Sequence, residues 1–384
     1  MIPPGRFDLD AMTEDLRMLV SAESPSRDID RLTVHARLLS GMMVRLLGSA
    51  PELIDSPAGP HIHWRGGGEP RVLILGHHDT VHPAGTLASR PFAVSGGRAT
   101  GPGVFDMKAG IIQALHAVAA MEDRSHVEIL LSADEETGSR ESRALIEERA
   151  LACGSVLVLE PSADGGALKT GRKGTGTFEV RVHGRASHAG LEPEKGINSL
   201  VELAGLIPQI TAIADPSRGT TVTPTVASAG TADNVVPELA SCFVDVRVAV
   251  PEEKPRVEAG MASLRGTVPG TVIEVLGGIG RPPMHESAAS LLMAMAVEAA
   301  AAAGLPVPDG VVVGGGSDGN FTAAAGVQTL DGLGAVGGGA HAADEHVVLA
   351  EMPRRAALIA GLCQRLSSMA SSTRELMPFS GSRP

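Results

Sequence analysis

The sequence predicts an α/β protein in which a mixed sheet flanked by helices is interrupted by an inserted β-α-β-β-α-β unit. The first observation is a set of three short apolar runs, at residues 72–75, 127–131 and 156–159. Continuous apolar runs of this length are typical of strands buried on both faces of a parallel sheet. The second observation is an alternation of apolar and polar residues at 178–182 and 242–248. That alternation indicates antiparallel strands with one face in solvent.

The two patterns divide the chain into domains. Residues 1–173 and 284–384 are predicted to form one domain, and residues 174–283 are predicted to be inserted into it. Helices predicted at 197–213 and 251–265 separate the strands of the insert and give the β-α-β-β-α-β order.

Composition excludes several classes of protein. A formal net charge of -12 argues against nucleic acid as a partner, because phosphate binding needs a basic surface. Aromatic residues make up 2% of the chain, too few for a base-stacking platform. The three Cys form no C-x-x-C pair, so neither a disulfide scaffold nor a thiolate zinc site is expected. Without an apolar leader or a long apolar run, the sequence predicts a cytoplasmic protein that does not bind a membrane.

Ionisable side chains follow each of the three apolar runs. His77 and Asp79 follow the first run, the acidic triplet 134–136 follows the second, and Glu160 follows the third. Because ligands bind at the carboxyl ends of parallel strands, these groups are expected to lie together. An acidic triplet alone is also compatible with a solvated turn, but adjacent acids repel one another and a bound cation relieves that repulsion.

Seven segments occur in an order that identifies a known family: G-H-H-D-T-V, G-P-G-V-F-D-M-K-A-G, S-A-D-E-E-T-G, L-E-P, G-R-A-S-H-A-G, G-R-P-P and A-H-A-A-D-E-H. Together they resemble the ArgE/DapE/carboxypeptidase G family of co-catalytic zinc hydrolases, which includes aminoacylases, and its glutamate carboxypeptidase branch in particular. The resemblance covers about residues 10–368. It implies a zinc-exopeptidase-type sheet for the catalytic domain and a ferredoxin-like insert that serves as dimerisation and lid domain.

The resemblance implies a pair of metal ions. His77 and Glu160 would bind one ion, His341 and Glu136 the other, and Asp106 would bridge both. The implied cofactor is two Zn²⁺ per subunit, and Co²⁺ or Mn²⁺ also suits imidazole and carboxylate ligands.

Three further residues receive catalytic roles from the resemblance. Glu135 would be the general base, and Asp79 would orient the imidazole of His77. His188 would reach across a dimer interface and polarise the scissile carbonyl, with Asn234 nearby as a second donor.

Substrate contacts are implied for the later motifs. Arg281 would bind the free α-carboxylate of the substrate, which suits a planar guanidinium. The segment 314–318 would form the floor of the pocket, with Gly315 and Ser317 as contacts, although a plain Gly-rich turn is an equal alternative. The glutamate-specific branch has a lysine where this chain has Ala167, so the preferred side chain stays open.

The sequence therefore predicts a homodimeric di-zinc hydrolase that cleaves the amide bond before a C-terminal amino acid, acting on a small peptide or an N-acyl amino acid. One alternative is an N-acyl-amino-acid deacylase of the acetylornithine or succinyl-diaminopimelate type. The other is a non-catalytic metal-bound binding protein. Two details of the resemblance can be checked directly: a cis Asp106–Met107 peptide, and the choice of His341 over its neighbour His346 as ligand.

Overall fold

Residues 2–369 are described here from a computed structural model of the chain. The chain divides into two compact units. The first unit contains residues 2–171, 284–313 and 317–369. The second contains Arg172–Pro283 and Gly314–Gly316.

The described residues form both helices and strands. The helices are α1 (Leu9–Val20), α2 (Ile29–Leu47), α3 (Thr86–Ser89), α4 (Ala109–Ala119), α5 (Arg143–Cys153), α6 (Ser199–Thr211), α7 (Glu253–Ala262), α8 (Ser290–Ala302), α9 (Gly319–Ala324) and α10 (Met352–Ser368). The strands are β1 (Glu52–Ile54), β2 (His61–Arg65), β3 (Val72–His77), β4 (Ala93–Ser95), β5 (Arg98–Thr100), β6 (Val127–Ser132), β7 (Ser155–Val158), β8 (Leu168–Arg172), β9 (Gly174–His183), β10 (Ser187–His188), β11 (Thr221–Ala229), β12 (Val235–Val236), β13 (Leu239–Val248), β14 (Val272–Arg281), β15 (Gly310–Val313), β16 (Gln328–Leu330), β17 (Gly337–Gly338) and β18 (His346–Val348).

The first unit is built on a mixed sheet with the strand order β1-β2-β6-β3-β7-β16. Strands β6, β3, β7 and β16 run parallel, and β2 pairs antiparallel with β6. Every residue of β3, β6 and β7 is buried, as their continuous apolar runs predicted. Helix α4 packs against α10 and α2, and their apolar faces join one core cluster with the sheet. The predicted mixed α/β sheet flanked by helices is therefore confirmed.

A smaller sheet in the same unit carries the segment between β17 and β18. Its strand order is β17-β18-β5-β4, and the neighbouring strands are antiparallel. Residues 339–345 therefore form the loop of a hairpin whose base is fixed by the pairs Gly338–His346 and Gly337–Val347. His341 lies within this loop.

The second unit contains a four-stranded antiparallel sheet with the order β11-β13-β9-β14. With α6 after β9 and α7 after β13, the chain follows the order β-α-β-β-α-β. Along β9, Phe178, Val180 and Val182 are buried in the core of the unit, whereas the intervening Glu179 and Arg181 are partly exposed. This alternation is the period of two that the sequence showed.

Within residues 2–369, none of the helices combines the length and the apolar character that crossing a membrane requires.

Candidate metal centre

The ends of three neighbouring strands bring the first ionisable groups together. In the order β6-β3-β7, His77 is the last residue of β3 and lies beside Ser132 of β6. The acidic residues after β6 and Glu160 after β7 therefore emerge at the same edge of the sheet. Gly76 allows the chain to pass Met107 there, because a Cβ at Gly76 would lie 2.9 Å from the Met107 sulfur.

Asp106 lies between the two predicted imidazole ligands. One carboxylate oxygen is 3.2 Å from Nε2 of His77, and the other is 3.3 Å from Nε2 of His341. The second carboxylate near His77 is Glu160, at 3.7 Å, and the second near His341 is Glu136, at 3.3 Å. The structure therefore gathers all five predicted ligands into two groups that share Asp106.

Asp79 connects the strand end to the acidic turn. It is fully buried, and Nδ1 of His77 lies 3.0 Å from its backbone carbonyl oxygen and 3.4 Å from its Oδ1. Its oxygens also accept hydrogen bonds from the backbone N–H groups of Glu135 (3.2 Å) and Glu136 (3.3 Å), and from the hydroxyl of Ser26 (2.7 Å). Asp79 thus holds the imidazole of His77 and also the backbone of Glu135 and Glu136.

The electrostatics of the cluster raise the pKa values of both imidazoles. Burial alone would lower the pKa of His77, but hydrogen bonds to Asp106 and Asp79 and the charge of Glu135 raise it well above its usual value. Hydrogen bonds to Asp106 and Glu136 raise the pKa of His341 to about 10. Burial would raise the pKa of Asp106, yet hydrogen bonds from the two imidazoles lower it far below its usual range. The common cause is an excess of carboxylates around two imidazoles, which a divalent cation would also neutralise.

The donor set fits such a cation. Ligand atoms of His77, Glu135 and Glu160 lie within 4.8 Å of one another, and so do those of His77, Asp106 and Glu136. Oxygen Oε1 of Glu136 is buried without a hydrogen-bond partner, although unpaired buried carboxylate oxygens are costly. Imidazole and carboxylate ligands without thiolate suit zinc, cobalt and manganese.

Two details that the resemblance implied can be checked against this geometry. The Asp106–Met107 peptide is cis. His346 donates from Nδ1 to the carbonyl of Asp344, 2.9 Å away, whereas the nearest groups to His341 Nε2 are the two carboxylates described above. The contacts favour His341 over His346.

In the second unit, His188 lies on the short strand β10 and Asn234 directly precedes β12, the strand that pairs with β10. His188 on β10 pairs with Val235 on β12, and the N–H of Ala189 donates to the carbonyl of Asn234 at 2.8 Å. The exposed imidazole of His188 accepts hydrogen bonds at Nδ1 from the N–H groups of Gly190 and Leu191, both at 3.1 Å. The ring proton is therefore on Nε2, which can donate.

The predicted substrate contacts differ in their surroundings. In the second unit, Arg281 is 7% exposed on β14, and the carbonyl of Gly315 accepts a hydrogen bond from Arg172 at 3.1 Å. In the first unit, Ser317 is fully buried and its hydroxyl donates to Asp331 at 2.6 Å. Their roles as substrate contacts stay predictions, and the side chain of Ser317 is already used within the protein.

Three residues near the cluster were not identified from the sequence. Ser26 donates to Asp79, and His82 and Glu345 bond to each other at 2.7 Å beside the Asp106 segment. Glu345 falls within the motif A-H-A-A-D-E-H, four residues after His341, and that proximity was the only available signal.

Comparisons with known proteins show the family and the fold. Over 377 residues the chain is 31% identical to carboxypeptidase G2 of Pseudomonas sp. (strain RS-16), covering 93% of this chain and 90% of that protein. It is 30% identical over 327 residues to succinyl-diaminopimelate desuccinylase of Xanthomonas oryzae pv. oryzae, covering 78% and 85%. Among solved structures, a metallo-carboxypeptidase of Sulfolobus solfataricus matches with a TM-score of 0.74 at 17% identity, covering 93% of this chain and 99% of that one. A dinuclear metal-binding peptidase of Bacillus subtilis matches with a TM-score of 0.62 at 17% identity, covering 94% and 99%.

The fold and the carboxylate–imidazole cluster define a metal-dependent hydrolase. The model of Peptidase family M20/M25/M40 matches residues 73–365, and the chain belongs to that family. Membership in this family of metallopeptidases speaks against the alternative of a non-catalytic binding protein.

The contacts of Asp79 generate a testable prediction. We expect Asp79→Asn to weaken Zn²⁺ binding about 10–100-fold, because groups that orient metal ligands typically contribute that much to affinity. The N–H groups of Glu135 and Glu136 now donate to different oxygens of Asp79, so either orientation of the amide leaves one of them facing an NH₂ group. Zinc affinity is measured by competition with a chromophoric chelator, and the exposed Asp55→Asn serves as the matched control. Equal affinity in the two variants would refute the role of Asp79.

Proposed function

We propose that the chain is a di-zinc carboxypeptidase that hydrolyses the amide bond before a C-terminal amino acid. The observation that carries the proposal is the position of Glu135. Its carboxylate shares a 4.8 Å cluster with His77 and Glu160, and its backbone N–H is held by Asp79. A carboxylate fixed beside the metal ligands is suited to move a proton during hydrolysis.

The ligand assignment follows the contacts of Asp106. His77, Glu160 and Asp106 would hold one ion, and His341, Glu136 and Asp106 the other. A bound pair of divalent ions would supply Lewis acidity and a water of lowered pKa.

Side chains of the protein would carry out proton transfer, stabilise the developing charge and bind the substrate. The carboxylate of Glu135 accepts a proton from the attacking water and later delivers it to the leaving nitrogen of the amide. The Nε2–H of His188 donates to the carbonyl oxygen as negative charge develops on it, and Asn234 offers a second donor. Arg281 would bind the α-carboxylate of the substrate through its guanidinium.

We further propose that the second unit is a ferredoxin-like dimerisation domain. Its β-α-β-β-α-β order and its strand order support the fold. On neighbouring strands of its sheet, the exposed side chains of Val226 and Phe243 lie opposite each other. Adjoining exposed apolar side chains are typical of an interface with another protein. In a homodimer, His188 of each subunit would act in the site of the other.

A second candidate function is an N-acyl-amino-acid deacylase. It is favoured by the 30% identity to a succinyl-diaminopimelate desuccinylase and by Ala167, where the glutamate-specific enzymes have a lysine. Both functions use the same ions and base, and they differ in the group on the acyl side of the amide.

A substrate panel separates the two functions. We expect the zinc-loaded protein to have a higher kcat/KM for dipeptides and pteroyl-type amides of C-terminal amino acids than for N-acetyl and N-succinyl amino acids. Matched amides without the α-carboxylate are the control, because they cannot use Arg281. A preference for N-acetyl or N-succinyl substrates would replace the first function with the second.

The role of Glu135 is tested by Glu135→Gln. We expect kcat to fall about 10²–10⁴-fold, because the amide cannot accept the proton. Metal content, measured by atomic emission, is expected to stay at that of the unmodified protein, since Glu135 is assigned to neither ion. Unchanged turnover would exclude Glu135 as the base, and loss of metal would make it a ligand.

Sharing of the site between subunits is tested by mixing two inactive variants. His188→Ala and Glu135→Gln homodimers are each expected to be nearly inactive. In a heterodimer, one of the two sites receives both intact residues, so activity should recover to about half per dimer. Heterodimers purified with two different affinity tags that show no recovery would contradict a shared site.

A further inference from the structure

Glu345 carries a heavily hydrogen-bonded carboxylate beside the proposed metal centre. One of its oxygens accepts hydrogen bonds from the backbone N–H groups of Phe105 (2.9 Å) and Asp106 (3.0 Å). The other accepts from the backbone N–H of Gly103 (3.0 Å) and from Nε2 of His82 (2.7 Å). The side chain is 2% exposed, so four donors satisfy a carboxylate that is almost fully removed from water.

These contacts act on the segment that places Asp106. Three backbone N–H groups within residues 103–106, the last of them that of Asp106 itself, donate to this single side chain. The backbone is closely packed there, because Gly103 has a φ of 71° and a Cβ at that position would lie 2.5 Å from Cγ2 of Thr80. A fixed segment keeps the carboxylate of Asp106 between the two imidazoles.

The same side chain anchors the loop that carries His341. This loop joins β17 to β18, and His341 has a φ of 63° within it. The left-handed region is unfavourable for a non-glycine residue, so the surrounding contacts must hold it. Glu345 supplies one anchor at the end of the loop, and Arg90 supplies another by donating to the carbonyl of Ala342 at 3.0 Å.

Arg90 and His82 extend the hydrogen-bond network of Glu345. Arg90 donates to Nδ1 of His82 at 3.2 Å, which leaves the proton of the imidazole on Nε2, where it is donated to Glu345. Lys108 lies two residues after Asp106 and is 1% exposed, and its Nζ donates to the carbonyl of Ala22 at 3.0 Å.

We propose that Glu345 is the positioning residue for the metal pair: it joins the Asp106 segment to the His341 loop, and occupancy of the His341 position depends on it. The proposal rests on the proposed di-metal function. The His77 position depends on it less, because His77 ends a buried strand and Glu160 follows another. At the His341 position the proposed ligands lie on less regular segments, His341 on a loop and Glu136 on a turn.

The test is a Co²⁺ titration of the metal-free protein, followed by visible absorption and by calorimetry. The unmodified chain should bind two Co²⁺. In Glu345→Gln, either orientation of the amide leaves one pair of donors facing an NH₂ group, so we expect affinity for the second Co²⁺ to fall about 10–100-fold while the first remains bound. Asp344→Asn, at the exposed neighbouring residue, is the matched control and should bind both ions normally.

The conservative variant Glu345→Asp keeps both oxygens and should restore part of the second affinity. If circular dichroism shows that Glu345→Gln does not fold, the loss is measured in Glu345→Asp instead. Binding of two Co²⁺ with the unmodified affinities and spectrum in the folded variant would overturn the proposal, as would an equal loss in Asp344→Asn. An unmodified chain that binds two Co²⁺ yet hydrolyses no amide would contradict the proposed function and leave the result for Glu345 interpretable.

Discussion

Two imidazoles share one carboxylate in the first unit, and the other groups of the metal centre are arranged around that contact. Asp106 points one oxygen at His77 and the other at His341, at 3.2 and 3.3 Å. A carboxylate in this position attracts two positive charges, which suits the proposed pair of cations. The buried carboxylates of Asp79 and Glu345 then hold the two groups that Asp106 contacts, because Asp79 lies beside His77 and Glu345 ends the loop of His341. Buried carboxylates therefore hold the centre in place, and they do so by accepting hydrogen bonds from backbone N–H groups as well as by contacting side chains.

The parallel sheet explains why residues distant in sequence meet at this point. Strands β6, β3 and β7 are neighbours, and at or just after their ends lie the acidic residues 134–136, His77 and Glu160. This part of the site was predictable, because an apolar run followed by an acid or an imidazole indicates both a strand and the residue at which that strand ends. The alternating strands of the second unit were predictable for a similar reason, as their period of two is visible in Phe178, Val180 and Val182.

Other contacts could not be derived from such patterns. The roles of Asp106 and His341 came from the family resemblance, since neither follows a strand with a recognisable period. Glu345, His82 and Ser26 were missed because their partners are backbone N–H groups or side chains distant in sequence, and no periodicity marks such a contact. Ser317 shows the opposite difficulty: a Gly-rich segment that resembles an exposed loop places this hydroxyl inside the protein, where it bonds to Asp331.

The two halves of the centre differ in exposure, and this difference bears on how it works. The side chain of His77 is 1% exposed, whereas that of His341 is 50% exposed. Solvent therefore reaches the cluster from the side of His341, and His77 is enclosed by strand ends and by Asp79. An imidazole on the open side lacks the packing of a buried strand, so other contacts must hold it in place. The loop of His341 has such a contact at its end, where the buried carboxylate of Glu345 joins it to the Asp106 segment, while the imidazole remains exposed.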